Sequence, residues 1–255
     1  MIDPHVHAPY EKISEYLDFI IANRINLEIY FSGQSLDNIS VQDLDKLKNS
    51  LVHSPSLSFH APFFDLSPGA IDSGVRAATM QRFNQVLDIA EVLRPKCIVF
   101  HPGYEKWKYA LNVRLWLEKS IETWGPLNTR AESIGVKIAI ENIFEEEPSN
   151  LRMLVEEMAS ANFGICFDTG HFNLFSKVPL DEWLSALKQY FLELHLHDND
   201  KSFDQHLPIG DGSFDFTRFF SEIKGTDCIY TIEAHNPERV MKSIERLKTY
   251  TDTLS

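Results

Sequence analysis

Short runs of β-branched and aromatic residues alternate along the chain with longer segments whose apolar positions recur at helical spacing. Strands are predicted at IDPHVH (2–7), NLEIYF (26–31), LSFHA (57–61), CIVFH (97–101), VKIAIEN (136–142), FGICFD (163–168), LELHLH (192–197) and CIYTIEA (228–234). Between them lie segments such as VRAATMQRFNQVLDIAEVL, where Met80, Phe83, Leu87 and Ala90 form one apolar helix face. Pro237 opens the last helix, where its missing N–H costs little. Eight strands alternating with helices over 255 residues predict an α/β chain folded as a single (β/α)8 TIM barrel, one domain over 1–255. An open doubly wound sheet is the rival, but no GxGxxG follows the first strand.

Side chains alternate across a strand, so each strand divides into two faces. In the fifth, Val136, Ile138 and Ile140 oppose Lys137, Ala139 and Glu141; in the sixth, Phe163, Ile165 and Phe167 oppose Gly164, Cys166 and Asp168. The same parity ends the third strand on His60, the fourth on His101, the seventh on His195 and His197, and the eighth on Glu233. If the large apolar faces pack on the helices, six consecutive strands finish with an inward-pointing His, Asp or Glu. Barrel enzymes keep their chemistry at that C-terminal rim. Burying so many ionisable groups about one axis is costly without a cation to neutralise them, so a bound divalent metal is expected. Imidazoles and carboxylates with no thiolate suit zinc or manganese. Glu193 falls a layer below His195, and either Lys137 or a water is expected to satisfy it or the strand register differs there.

Composition narrows the partners. At 44% hydrophobic and 24% charged, the chain can bury a substantial core. No long apolar run and no signal-peptide pattern is present, which predicts a cytoplasmic protein with no membrane association. Cys97, Cys166 and Cys228 sit in apolar runs and suit buried free thiols. A formal charge of −13 makes nucleic acid an unfavourable partner.

The segments FHAPF (59–63), VFHPGY (99–104), AIEN (139–142), CFDTGH (166–171), LHLHDND (194–200), DQHLPIGDG (204–212) and TIEAH (231–235) together resemble the xylose isomerase-like TIM-barrel superfamily. That superfamily includes endonuclease IV, of AP endonuclease family 2, and the sugar and sugar-phosphate isomerases and epimerases. The resemblance implies that Glu141, Asp168, His195 and Glu233 match the four ligands of a single divalent ion in the epimerase branch. In the endonuclease branch the same four belong to a three-zinc cluster, completed by residues matching His60, His101, His171, Asp204 and His206. One to three ions are therefore expected, with His197 supporting the ligands rather than joining them.

The function expected from these residues is a metal-dependent isomerase or epimerase of carbohydrate metabolism, acting on a sugar or sugar phosphate. Glu141 and Glu233 would exchange a substrate proton as acid and base, while His60 and His171 orient hydroxyls and Phe63, Tyr104, Trp107 and Phe172 wall the pocket. The alternative is an endonuclease IV-like trinuclear zinc phosphodiesterase, or another metal-dependent hydrolase. Glu145, Glu146 and Glu147 would place negative charge on the rim and repel a phosphate backbone, although Phe63 and Phe64 could wedge beside a flipped nucleotide. His5 and His7 form an HxH that suggests an amidohydrolase, but Glu141, Asp168 and Glu233 depart from that fold's pattern. A binding protein on a retained barrel is the non-catalytic alternative. Gly210 and Gly212 flanking Asp211, with Lys177 and Lys201, are candidate phosphate holders.

Overall fold

The computed structural model describes residues 2–252. Eight parallel strands close into a barrel in sequence order: β1 (His5–Pro9), β2 (Asn26–Tyr30), β3 (Leu57–His60), β4 (Cys97–Phe100), β5 (Lys137–Glu141), β6 (Phe163–Asp168), β7 (Phe191–Leu196) and β8 (Ile229–Ile232). The helices among the described residues are α1 (Ile13–Ala22), α2 (Gly33–Asn38), α3 (Val41–Ser50), α4 (Ser73–Leu93), α5 (Val113–Ser133), α6 (Ser149–Met158), α7 (Thr169–Phe175), α8 (Leu180–Leu187), α9 (Phe216–Glu222) and α10 (Pro237–Asp252). None of them is long and apolar enough to cross a membrane. β1 starts at His5, three residues later than the sequence pattern suggests, and runs on to Pro9.

The two faces of the strands have separate packing partners. Phe59, Phe100, Ile140, Phe167 and Leu194 join the large core between sheet and helices. Cys97, Val99, Ala139 and Cys166 form a second, small cluster, as expected for the barrel interior. Cys97 and Cys166 are buried free thiols, whereas Cys228 is only half-buried.

β7 departs from simple alternation. Its pairing with β6 shifts between Ile165 and Cys166, so Phe191 faces Ile165 while Glu193 faces Cys166. Leu192, which by sequence parity shares the helix-facing side with Leu194 and Leu196, instead packs against the interior cluster. Gly164 makes room for it, because a Cβ there would collide with Leu192 and the Tyr190 carbonyl.

Beside the thiols the barrel interior turns polar. Glu193 is fully buried, and its Oε1 accepts hydrogen bonds from Ser58 Oγ (2.8 Å) and Thr231 Oγ1 (2.6 Å). Lys137 is exposed at the start of β5 and does not serve it. Burial, with Glu28 nearby, pushes the Glu193 carboxyl up to about 8, so it stays protonated at neutral pH. His5 joins the same layer through Ser58 (2.8 Å) and Ser56 (3.0 Å).

Candidate metal centre

The C-terminal rim gathers the chain's acids and imidazoles around one axis. Glu141 is the last residue of β5, Asp168 ends β6, His195 lies near the end of β7, and Glu233 follows β8 directly. His195 Nδ1 stands 3.4 Å from Glu141 Oε1, 3.4 Å from Glu233 Oε1 and 3.7 Å from Asp168 Oδ2. That nitrogen is buried and has no hydrogen-bond partner among the described residues, and the same holds for His197 Nδ1 and Asp204 Oδ1. Buried polar atoms are rarely left so, and a nitrogen facing three carboxylate oxygens fits a shared divalent cation.

The imidazoles are oriented for this. His195 Nε2 is held by Glu28 Oε2 at 2.9 Å, which leaves Nδ1 to face the cluster. His60 Nδ1 donates to the Ala61 carbonyl (2.9 Å), turning Nε2 toward Glu141 Oε2 at 3.1 Å. His171 Nδ1 lies 3.1 Å from the Asn142 carbonyl and its Nε2 faces Asp204 Oδ2 at 3.6 Å. Acceptors that hold one ring nitrogen fix which nitrogen is free to ligate.

Local sequence explains the placement. Asp168 caps α7, its Oδ1 accepting the His171 N–H at 2.6 Å while Oδ2 turns to the cluster. Asn142 clamps the neighbouring strand ends by accepting the Asp168 N–H (2.9 Å) and donating to its carbonyl (3.0 Å). The loop after β7 returns Asp204 and His206, which pair at 2.9 Å, and His206 Nδ1 approaches Glu233 Oε2 at 3.6 Å.

Glu141 and Glu233 each face two ways. Glu141 Oε2 lies 3.1 Å from His60 and 3.2 Å from His101, away from the His195 side. Glu233 Oε2 faces His197 and His206, both at 3.6 Å. His60, His101 and Glu141 therefore form one group with ligand geometry, and His197, His206 and Glu233 another.

Charge follows the same pattern. Burial alone would discharge these groups, but their opposition overrides it. Glu141 is held well below the usual carboxylate range by His195 and His101, and Glu233 is lowered to about 2 by His195 and His7. His195 and His171 are raised well above an ordinary imidazole, and His206 is raised to about 9 beside Asp204. Without an ion, His171, His195 and His206 are thus favoured in the protonated form beside the ionised carboxylates, whereas burial lowers His101.

A family model described as xylose isomerase-like TIM barrel matches residues 26–250. The chain belongs to this family. Among its relatives, the uncharacterized protein MJ1311 of Methanocaldococcus jannaschii is 31% identical over 77% of this chain and 70% of its own length. A crystal structure of a D-tagatose 3-epimerase-like protein superposes with a TM-score of 0.81 at 27% identity, covering 98% of each chain. The TTHB071 protein from Thermus thermophilus, soaked with zinc chloride, gives 0.82 at 26% identity over 99% of each.

In this member of the xylose isomerase-like family the nine residues named as ligands from sequence share one cluster, but the surroundings differ from expectation. A cavity of about 510 Å³ opens over the cluster, walled by Phe63, Tyr104 and Phe144 among others. Trp107 is 69% exposed and lies outside that lining. Phe172 is also outside it: as α7 turns His171 inward, Phe172 packs into the core against Trp183 and Phe214. Phe63 stacks on His101 at 4.2 Å, while Phe64 is exposed. The acidic run is structural. Glu145 is buried and accepts from Ile143 N and Asn150, Glu146 bridges Lys106 and Lys177 at 2.6 Å each, and Glu147 accepts from Ser149. Lys177, a candidate phosphate holder from sequence, is paired with Glu146. The Gly212, Ser213 and Phe214 N–H groups also have a partner, the buried Asp198 carboxylate.

Sequence reasoning missed Glu28 and underrated His7. Glu28 is fully buried, and His7 Nδ1 stands 2.7 Å from Glu28 and 3.4 Å from Glu233. The available signal was parity, since Asn26, Glu28 and Tyr30 occupy the inward positions of β2.

Proposed function

We propose that this protein is a divalent-metal-dependent sugar isomerase or epimerase that works by proton transfer. The observation that carries this reading is the meeting of Glu141 Oε1 and Glu233 Oε1 at 3.4 Å from the same His195 nitrogen, each arriving from a different strand. Glu141, Asp168, His195 and Glu233 would hold the ion, with zinc or manganese suited to three carboxylates and one imidazole. Once bound, it would polarise adjacent carbonyl and hydroxyl oxygens and acidify the neighbouring C–H. Glu141 and Glu233 then take and return the proton on that carbon, using the carboxylate oxygens turned toward the cavity. His7, His60 and His171 line the same cavity and bind substrate hydroxyls, while Phe63, stacked on His101, forms part of its wall. The likeness to a D-tagatose 3-epimerase-like protein supports a ketose or related sugar as substrate.

A second reading has its own support. The group formed by His60, His101 and Glu141 could hold another ion, and ions bridged by carboxylates suit phosphoester hydrolysis. Metal content per purified chain, combined with solvent deuterium exchange into a panel of ketoses, separates the two. One ion and deuterium at the carbon beside the carbonyl, abolished in Glu233→Gln, is the expected result. Two or three zinc ions with phosphodiester cleavage and no exchange would establish the hydrolase instead.

A further inference from the structure

Beside the central cavity lies a second one of about 440 Å³, and His7, Phe63, His206 and Glu233 line both. Its deeper wall is apolar: Val6, Ile20, Ile25, Leu27 and Val240 line it, and all are buried. The recess lies where β1, β2 and α1 approach the start of α10. Its origin is legible in side-chain size. Helix-facing positions on other strands carry Phe59, Phe100 and Phe167, each fully buried, whereas β1 presents Ala8 and the chain after β8 presents Ala234. Small residues facing the helix layer leave space that close packing elsewhere removes.

A volume of this size with an apolar wall and a few polar groups at one end has the character of a small-molecule site. Its polar end includes His206 and Glu233 of the metal cluster, with His7 beside them. A free sugar, carrying hydroxyls around its ring that the apolar wall cannot satisfy, would gain little from Val6, Leu27 and Val240.

We propose that the recess receives an apolar substituent, an alkyl or aryl group, carried by the substrate whose polar head meets the cluster. The natural substrate is then a glycoside or other conjugate of a sugar-like head rather than a free sugar. This inference rests on the proposed metal-dependent function, because the head must be anchored for the substituent to be aimed at the recess.

Hydroxamic acids test it, since their head chelates divalent metals and their tail can be lengthened. The zinc-loaded protein is titrated with acetohydroxamate and octanohydroxamate by calorimetry. Each methylene that enters the recess is expected to tighten binding by up to about fourfold, so octanohydroxamate, with six more than acetohydroxamate, is expected to bind about a hundredfold tighter even where only part of its tail is buried. Ala8→Leu and, from the facing wall, Val240→Phe fill the space and are expected to erase most of this gain without changing acetohydroxamate affinity. The unchanged acetohydroxamate affinity also verifies that each variant is folded.

Equal affinity for the two compounds, or a chain-length gain that survives in both variants, overturns the inference while leaving the metal centre standing. Failure of both compounds to bind removes the anchoring head, and with it both the inference and the reading beneath it.

Discussion

Glu28 Oε2 holds His195 Nε2 at 2.9 Å in the fully buried heart of the barrel, so that the opposite ring nitrogen confronts three carboxylates. The same Glu28 reaches His7 Nδ1 at 2.7 Å with its other oxygen. Burial alone would raise the Glu28 carboxyl, but His195 and His7 hold it well below the usual range. One carboxylate therefore fixes two imidazoles, one in the cluster and one on the cavity wall.

Glu28→Gln keeps the shape and removes the charge that fixes both rings. Partners that orient a ligating imidazole typically contribute about 10- to 100-fold in metal affinity. We expect a loss of that order in chelator-competition titrations, with the far-ultraviolet circular dichroism unchanged. Unaltered zinc affinity would show that His195 needs no partner to present Nδ1.

The barrel was legible because its two periodicities are clean: alternation in β5 and β6, and a helical repeat in α4. His60, His101, Glu141, Asp168, His195 and Glu233 were legible for the same reason, each a polar residue at or beside a strand end on the inward parity, whereas His171 in α7 and Asp204 and His206 in the loop after β7 were reached only through the family resemblance. Glu28 escaped because it sits mid-strand, and its partner His195 is distant in sequence and adjacent only after closure. Leu192 escaped because a pairing irregularity against β6 breaks the alternation on which parity depends. Loop assignments fared worst, since the Gly212 amide looks equally available to a phosphate or to Asp198 until the tertiary structure chooses.

His5 gives the metal-free protein an acid-sensitive point. Burial lowers its imidazole to about 4, against about 6.5 in the unfolded chain. The folded state therefore binds fewer protons between those values, and stability is full above about pH 6.5 and falls as pH drops toward 4. The difference corresponds to ~3 kcal/mol. Denaturation midpoints taken from pH 7 to 4.5 should fall less steeply in His5→Asn, although that variant starts lower by losing the bonds to Ser56 and Ser58. Parallel slopes in the two proteins would assign the acid sensitivity to other groups.

Asp198 is a buried anchor for the loop that carries Asp204 and His206. Its carboxylate accepts the N–H groups of Asn199, Gly212, Ser213 and Phe214, while its backbone pairs with Leu207 in both directions. Asp198→Ala leaves those amides without their acceptor, at about 1–3 kcal/mol for each that stays buried. A loss of roughly 3 kcal/mol or more in urea unfolding is expected, together with new proteolytic cleavage between residues 200 and 212. Resistance of that loop to protease in the variant would mean that the Leu207 pairing alone secures it.

Gly170 sets two opposing effects against each other. It lies in α7, where alanine would ordinarily favour the helix by about 1 kcal/mol. A Cβ at this position, however, would overlap the ring of the fully buried His197, which Asp168 Oδ2 holds at 3.0 Å. Neither group can retreat easily, because Thr169 Oγ1 donates to the His197 carbonyl at 2.8 Å. Overpacking of this kind costs about 1–3 kcal/mol or more, so the collision wins and Gly170→Ala should lower the melting temperature. Combining it with His197→Ala removes the colliding ring, and the double variant should be more stable than the sum of the two single losses predicts. Strict additivity would show that Gly170 is required for backbone reasons and not to admit His197.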